Sequence, residues 1–408
     1  MVRVLLLSDV YFPRVNGVST SIKTFRDDLP AAGVTSVLLA PNYPGESHEN
    51  QSDIVRVASS GVPRDPEDRR MHLGALRRAL AALRREPFDL VHIHTPFLAH
   101  YAGVRFARAA GIPAVATYHT FFEEYLHHYV PLLPRPLGRM IARRFTRSQC
   151  AQVQALIAPS EPMRELLANY GVATPIRVIP TGLPADRFVA GNGARFRERF
   201  GIARNRPLLL YVGRVAHEKN IGFLLRIFVE LRRTRRDALL VIAGEGPARE
   251  SLMAEAAELG LGPDVTFVGY LDREQGLADC YAAADVFVFA SRTETQGLVL
   301  LEALAQGRPV VSTAHLGTAS ILTPGCGARV APEEPVAFAR LVADILEDPQ
   351  RAAHLSEQAR RYALSWSSAL MATRLAELYR EVISTHVPVT APGAPAASHQ
   401  VPDPGAGS

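Results

Sequence analysis

Short apolar runs alternate with helically spaced apolar residues along the first half of the chain. The runs predict strands at residues 2–7, 36–40, 54–57, 90–94, 114–117 and 155–158. The helical spacing predicts helices at residues 19–32, 69–85, 101–110, 135–153 and 162–170. Because strands separated by helices form parallel βαβ units, this half predicts a doubly wound parallel sheet.

The alternation stops near residues 180–182 and restarts at residue 208. Strands are then predicted at residues 208–212, 239–243, 265–268, 286–290 and 309–312. Helices are predicted at residues 221–233, 248–259, 274–283 and 298–306, with terminal helices from 336 to about 384. The fold class is therefore α/β, with two Rossmann-like domains whose parallel sheets face an interdomain cleft. Ligands of such sheets bind at the carboxyl ends of the strands.

These changes of pattern divide the chain into five parts. We expect an N-terminal domain at 1–182, a linker at 183–206 and a C-terminal domain at 207–368. A helix at 369–386 is expected to cross back to the N-terminal domain. The last part, 387–408, is rich in Pro, Ala, Gly and Ser, a composition that predicts disorder.

Composition excludes several classes of protein. The 408 residues are 48% apolar and 21% charged, so the chain can bury a core and is not disordered as a whole. Three widely separated cysteines exclude a disulfide scaffold and a cysteine-rich zinc or iron–sulfur site. No apolar run reaches the roughly 18–20 residues of a membrane span, and the first residues lack the features of a signal peptide. We therefore expect a cytoplasmic protein.

Positive charge is concentrated in the first domain. The net charge of +5 is too small to favour a nucleic-acid partner. Residues 1–182, however, hold 21 basic against 15 acidic side chains, and residues 125–160 contain no acid. The five arginines of this acid-free stretch are Arg135, Arg139, Arg143, Arg144 and Arg147. Such a local cluster predicts contact with an anion or an anionic surface.

Two turns carry features of an anion site. Gly17 opens the helix after the first strand, where free backbone N–H groups would face a ligand, although a plain tight turn is the alternative. The three-glycine dinucleotide fingerprint is absent. After the strand at 208–212, Arg214 and Lys219 lie five residues apart beside a helix start. Lys219 is one of only two lysines in the chain. Together they predict a diphosphate site, the alternative being a surface pair neutralised by Glu218.

A second cluster follows the strand at 286–290. Glu294 lies in the loop, where a carboxylate can accept hydrogen bonds from sugar hydroxyls. Glu302 lies eight residues later, about two turns into the next helix, and could accept ribose hydroxyls or be an ordinary solvated residue. The helix N-terminus would be formed by residues 296–299, which include Gly297, Leu298 and Val299, and would cradle an anion.

Together these residues resemble the retaining glycosyltransferases of family 4, which have the GT-B fold. The resemblance covers nearly all of residues 1–385. It rests on the Gly17 turn, the Arg214/Lys219 pair, the Gly244-Glu-Gly246-Pro segment and the two glutamates. It implies that the C-terminal domain binds a nucleotide-diphosphate sugar and that the N-terminal domain binds the acceptor.

The resemblance also implies individual roles. Arg214 and Lys219 would hold the diphosphate, Glu294 the donor hexose and Glu302 the ribose, with Gly17 and Gly246 also lining the donor site. The backbone around Tyr270 would meet the base. His119, within Thr117-Tyr-His119-Thr, matches the family's histidine near the transferred sugar.

The expected mechanism is same-face transfer with retention, because no dedicated carboxylate nucleophile is evident. We expect no metal, since fixed cations replace it and His92, His94 and His119 lack a recognised ligand spacing. We expect no cofactor besides the donor substrate.

The acceptor is predicted from the arginine-rich helix. Arg139, Arg143 and Arg147 repeat every four residues beside an apolar stripe of Leu137, Met140, Ile141 and Phe145, with Arg144 adjacent. A basic amphipathic helix can lie on an anionic membrane, although a core-packed helix is the alternative. The segment from Tyr118 to Tyr129 and the segment Val178-Ile179-Pro-Thr-Gly182 look most like diacylglycerol glucosyltransferases, which implies a lipid acceptor, UDP-glucose and peripheral membrane contact.

Other functions remain open. A GDP-mannose-dependent mannosyltransferase acting on a glycolipid or another glycan fits nearly as well. Alternatives of other classes are a non-catalytic nucleotide-sugar-binding module, a phosphorylase-like enzyme with pyridoxal phosphate, and a UDP-sugar epimerase.

Overall fold

The computed structural model describes residues 1–44, 52–62, 65–119, 135–272 and 275–387. The expected tail, apart from residue 387, and the aromatic segment at 121–133 lie outside these residues. Strands of the first half are β1 Val2–Leu7, β2 Val34–Pro41, β3 Ile54–Val57, β4 Ser59–Val62, β5 Asp65–Met71, β6 Leu90–Ile93, β7 Ala114–Thr117, β8 Ala155–Ala158 and β9 Ile176–Val178. Helices of this half are α1 Gly17–Asp28, α2 Leu73–Leu83, α3 Leu98–Ala110, α4 Arg135–Cys150 and α5 Glu161–Asn169.

The second half repeats the same alternation. Its strands are β10 Leu208–Val212, β11 Leu239–Ala243, β12 Val265–Gly269, β13 Val286–Phe289, β14 Val310–Ser312 and β15 Ala328–Val330. Its helices are α6 Gly193–Arg199, α7 Ile221–Leu231, α8 Arg249–Glu258, α9 Gly276–Ala283, α10 Leu298–Ala305, α11 Gly317–Ile321, α12 Pro335–Glu347, α13 Pro349–Leu364 and α14 Ser368–Thr385.

Two parallel sheets form the frame. The first has the order β3-β2-β1-β6-β7-β8-β9 and the second the order β12-β11-β10-β13-β14-β15. In each sheet the order reverses beside the first strand, between β1 and β6 and between β10 and β13. These switch points leave a crevice at the carboxyl ends of the strands, where ligands bind. The predicted α/β class with two parallel sheets is confirmed.

One predicted helix is wrong at its start. Residues 69–85 were expected to be helical throughout, but residues up to Met71 belong to β5, and α2 begins only at Leu73. Strand β5 pairs antiparallel with β4, and the Arg69 guanidinium donates to the Ser59 carbonyl at 2.9 Å. Met71 is buried. The Arg/Ala/Leu composition of the following residues hid this hairpin, because cross-strand pairing overrode local propensity.

The segment expected to be a linker carries structure of its own. Helix α6 packs on α9, and the Asp279 carboxylate accepts hydrogen bonds from the Arg195 guanidinium and from the Asn192 backbone N–H. A Cβ on Gly193 would lie 2.4 Å from the Ala282 carbonyl oxygen. Residues 191–199 are therefore built onto the C-terminal half.

The last helix packs on the N-terminal half. Residues of α14, among them Met371, Leu375 and Tyr379, share one buried apolar cluster with strand β1 and helix α1. The chain thus passes between the halves twice, once near Leu183 and once near Ser368, and these two passages are hydrogen-bonded to each other. Leu183 donates its backbone N–H to the Trp366 carbonyl at 2.7 Å and accepts from the Ser368 N–H at 2.9 Å.

Gly182 is expected to be intolerant of a side chain. A Cβ there would lie 2.4 Å from the Ser368 Cα, so Gly182→Ala forces the two passages apart. We expect a loss of about 1–3 kcal/mol in the free energy of unfolding, measured by chemical denaturation. Gly262→Ala is the matched control, because a Cβ at Gly262 meets nothing within 4 Å. Equal stability of the two variants would contradict the described contact.

Candidate active site

Lys219 and Glu294 form an ion pair at the switch point of the second sheet. The loop after β10 carries Lys219 and the loop after β13 carries Glu294, and the Nζ–Oε1 distance is 2.6 Å. Their side chains are 19% and 20% exposed. The two predicted site residues are therefore brought together from 75 positions apart. A cation and a carboxylate side by side can hold a diphosphate and a sugar hydroxyl at adjacent points.

Arg214 has a different partner. Its Nη1 lies 3.7 Å from the Glu218 carboxylate, and both side chains are about one-third exposed. The alternative for this motif, a surface pair neutralised by Glu218, therefore holds for Arg214. Such an exposed, long ion pair contributes little to stability, so an arriving anion can compete for Arg214.

Backbone hydrogen bonds join the chain segments at the carboxyl ends of β10, β11 and β12, next to Arg214 in the sequence. Val215 donates its N–H to the Glu245 carbonyl at 2.9 Å, and Gly244 donates to the Gly269 carbonyl at 2.8 Å. Gly246 has φ 157°, and a Cβ on it would lie 2.3 Å from the Val215 carbonyl oxygen. Gly246 is thus required by backbone contact, and Tyr270, next to Gly269, projects with 58% of its surface exposed.

Glu302 is buried. It is the fifth residue of α10, so it lies about one turn into the helix and not two. Tyr281 on α9 donates its hydroxyl to the Glu302 carboxylate at 3.0 Å. The alternative of a solvated helix residue is therefore wrong. Gly297 precedes the helix with φ 97°, a left-handed conformation that favours glycine, and Leu298 and Val299 are the first two residues of the helix.

The loop that carries Glu294 also contacts the N-terminal half. The Gln296 amide accepts from the Thr181 N–H at 2.8 Å and donates to the Thr181 carbonyl at 2.7 Å. Ser160 donates its hydroxyl to the Thr295 carbonyl at 2.7 Å. Sequence analysis used Gln296 only as part of a helix start. Nothing local reveals a contact across 115 positions.

Glu333 was also missed. It accepts from the Asn220 side chain at 3.2 Å and from the Arg292 guanidinium, and its second oxygen lies 3.5 Å from His315 Nε2. Asn220 follows Lys219, and Arg292 lies two residues before Glu294. The carboxylate therefore joins the loops after β10, β13 and β14 around the ion pair. Acidic residues are common before helices, so the sequence alone does not single out Glu333 as a site residue.

Histidines cluster at the switch point of the first sheet. His94 Nδ1 lies 3.3 Å from His119 Nε2, and the rings of His92 and His94 are 4.0 Å apart. Burial lowers the pKa of His119 to about 4 and that of His92 to about 3. Both are therefore neutral near pH 7. The described contacts of His119 are within this half and include none to Lys219 or Glu294.

Two more features of the N-terminal half are a helix cap at Asn16 and a buried carboxyl group at Asp9. Helix α1 begins at Gly17, and the Asn16 side chain caps it by accepting from the Ser19 N–H at 2.8 Å. Asp9, which sequence analysis did not select, accepts from the Thr95 hydroxyl at 2.8 Å and from the Ala99 N–H at 3.1 Å. Burial raises the pKa of Asp9 to about 6, although these hydrogen bonds lower it.

Helix α4 turns its large apolar residues outward. Leu137, Met140 and Ile141 are 41%, 59% and 42% exposed. The face that packs inward is formed by small and polar residues, namely Ala142, Thr146, Gln149 and Cys150. The predicted arginines Arg139, Arg143, Arg144 and Arg147 are exposed. Arg143 also stacks on the Tyr170 ring at 5.1 Å. The alternative of a core-packed apolar stripe therefore fails, except for the half-buried Phe145.

Known proteins match both halves. A model of Glycosyltransferase Family 4 matches residues 15–187, and one of Glycosyl transferases group 1 matches residues 193–362. An alpha-monoglucosyldiacylglycerol synthase of Streptococcus pneumoniae is 34% identical over 76% of this chain and 70% of that protein. The chain belongs to glycosyltransferase family 4. A GDP-mannose-dependent alpha-mannosyltransferase of Mycobacterium tuberculosis is 30% identical to this family 4 member, over 89% of this chain and 90% of that protein.

The fold of this family 4 glycosyltransferase also matches solved structures. Sucrose-phosphate synthase from Thermosynechococcus elongatus superposes with a TM-score of 0.76 at 22% identity, covering 94% of this chain and all of that one. The expected GT-B architecture is thereby confirmed. Among the described residues, no helix is long and apolar enough to cross a membrane, and no group of three histidine, cysteine or carboxylate side chains could hold a metal ion.

Proposed function

We propose that this glycosyltransferase moves a hexose, with UDP-glucose as the favoured donor, to a lipid acceptor such as diacylglycerol with retention. The observation that carries the donor site is the Lys219–Glu294 pair at the switch point of the C-terminal sheet. Glu302 lies on the helix that follows, where it would accept ribose hydroxyls. Gly246 and the backbone at Tyr270 complete the side that would receive the nucleotide.

The chemistry follows from charge. Cleavage of the bond between sugar and diphosphate builds negative charge on the leaving group. Lys219 would exchange Glu294 for a diphosphate oxygen, which frees the Glu294 carboxylate to accept a hexose hydroxyl. Arg214, held only at 3.7 Å by Glu218, would take further oxygens. Fixed cations aimed at the developing charge lower the barrier, so neither a metal nor another cofactor enters the proposal.

Retention is proposed through same-face attack. Neither nearby carboxylate is assigned to such an attack, because Glu294, once released by Lys219, would accept a hexose hydroxyl, and Asp9 is buried against Thr95 and Ala99. A two-step mechanism would need a carboxylate placed to attack the sugar from the opposite face. The leaving phosphate oxygen would instead take the acceptor's proton. His119, neutral because of burial, would lie by the transferred sugar.

Two observations support a lipid acceptor. The Streptococcus pneumoniae relative is a diacylglycerol glycoside synthase by name. Helix α4 exposes Met140 and Ile141 together with its arginines, which is the pattern of a helix that lies on an anionic membrane. We propose peripheral attachment to the cytoplasmic face of the membrane. A GDP-mannose-dependent mannosyltransferase is the second candidate, supported by the longer coverage of the Mycobacterium tuberculosis relative.

The donor and acceptor are tested with purified full-length protein. UDP- and GDP-sugars are each supplied with diacylglycerol vesicles and with soluble acceptors, and the products are analysed by mass spectrometry and NMR. We expect an α-glucosyl lipid from UDP-glucose. Transfer only from GDP-mannose would favour the second candidate, and transfer only to a soluble acceptor would overturn the lipid proposal.

Lys219→Ala is expected to reduce turnover about 100-fold, because the lost charge acts mainly as the diphosphate leaves. The measurement is kcat and KM with the donor identified above. Lys23→Ala is the matched control, since Lys23 is an exposed lysine paired with Asp27 on α1. A wild-type kcat in Lys219→Ala would mean that the diphosphate binds elsewhere.

Arg144→Glu with Arg147→Glu is expected to weaken binding to anionic vesicles about 30-fold, at about 1 kcal/mol for each basic residue. Hydrolysis of the donor in solution should stay unchanged. Arg77→Glu with Arg78→Glu is the control, because it makes the same charge change at exposed positions of α2. Equal weakening in both double variants would refute a specific membrane face on α4.

A further inference from the structure

Four aromatic side chains form a row from the last helix to His119. Tyr379 on α14 places its hydroxyl 2.6 Å from His92 Nδ1. The His92 ring lies against His94, with centroids 4.0 Å apart, and His94 Nδ1 lies 3.3 Å from His119 Nε2. Tyr379, His92 and His94 are all buried. The row connects a helix at the end of the chain to the histidine that we propose lies at the transferred sugar.

Hydrogen bonding fixes the orientation of His92. Its Nδ1 contacts Tyr379, and its Nε2 lies 2.7 Å from the Thr117 hydroxyl. A neutral imidazole has one donor and one acceptor, and both hydroxyls can take either role. Both ring nitrogens are therefore satisfied in either tautomer. The His92 ring is thus held in one orientation, and the His94 ring packs against it.

The pair of His94 and His119 has two possible proton arrangements. Burial lowers the pKa of both, so each ring carries one proton near pH 7. Either His94 Nδ1–H donates to His119 Nε2, or His119 Nε2–H donates to His94 Nδ1. The two arrangements differ at His94 Nε2, which is buried and has no partner among the described residues. In the first, Nε2 is a bare acceptor; in the second, it is an unpaired N–H.

Among backbone groups, a buried N–H without a partner is rarer than an acceptor with a free lone pair, and we apply the same order to the His94 ring. We therefore infer that His94 is a positioning residue that donates from Nδ1 to His119 Nε2 and leaves the His119 proton on Nδ1. This inference deepens the proposed function and rests on it for the role of His119. His119 then offers a hydrogen-bond donor at Nδ1, suited to a sugar or acceptor oxygen. Its Nε2 lone pair is occupied by His94.

The tautomer is tested directly on the ligand-free full-length protein. Long-range ¹⁵N–¹H NMR of histidine-labelled protein near pH 7 distinguishes protonated from bare ring nitrogens. Signals are assigned by the loss of each in His94→Asn and His119→Asn. We expect His119 with a bare Nε2 and a protonated Nδ1. A proton on His119 Nε2 would overturn the inference. This readout needs no substrate, so it is independent of whether the proposed activity is found.

Kinetics test the positioning role. An Asn side-chain NH₂ can replace the Nδ1–H of His94, whereas Phe keeps the ring but has no donor. We expect His94→Phe to lower kcat about 10- to 100-fold, as misplacement of a group at the reacting sugar does, and His94→Asn to retain activity within severalfold. Equal loss in the two folded variants would overturn the donor role, and so would a wild-type rate in His94→Phe. If His94→Phe does not fold, the tautomer measurement decides.

Discussion

The parallel arrangement of both sheets determines where chemistry can occur in this protein. Parallel strands need a crossover between them, so all their carboxyl ends lie at one edge, and the loops that leave that edge meet. Lys219 and Glu294 meet at 2.6 Å although 75 positions separate them. The histidine cluster of the first sheet arises in the same way. His94 follows β6 and His119 follows β7, so both lie at the carboxyl ends of neighbouring strands. The position of the candidate site is therefore a consequence of the topology.

An ion pair stabilises the proposed donor site in this structure. Lys219 and Glu294 are about four-fifths buried, so each partly satisfies the other. A buried charge that loses its partner is costly. A ligand must therefore bring both an anion for Lys219 and hydroxyl donors for Glu294. A nucleotide-diphosphate sugar carries an anion and the hydroxyls of a hexose, whereas a free sugar carries no anion. Under the proposed function, this pairing would favour the donor over a free sugar.

Sequence periodicity predicts most of the fold, since buried parallel strands are continuous apolar runs. Six strands, including β10 and β11, agree with prediction at both ends. The hairpin of β4 and β5 and the edge strands β9 and β15 were not predicted. These strands are short or polar, and they form only through pairing with a neighbouring strand. Site residues within motifs, such as Lys219 and Glu294, could be selected from the sequence. Glu333, Gln296 and the Tyr379–His92 contact could not, since their partners lie up to 287 positions away.

The last helix makes the N-terminal half depend on the whole chain. Met371, Leu375 and Tyr379 complete the apolar cluster on the face of β1, so a chain that ended near residue 182 would expose that face to water. The helix reaches this position only through Ser368, which is hydrogen-bonded to Leu183 at the other passage. The segment that delivers Tyr379 to His92 is thus one of those that hold the two halves together. The half that we propose binds the acceptor is therefore built partly by chain that has already passed through the half that we propose binds the donor.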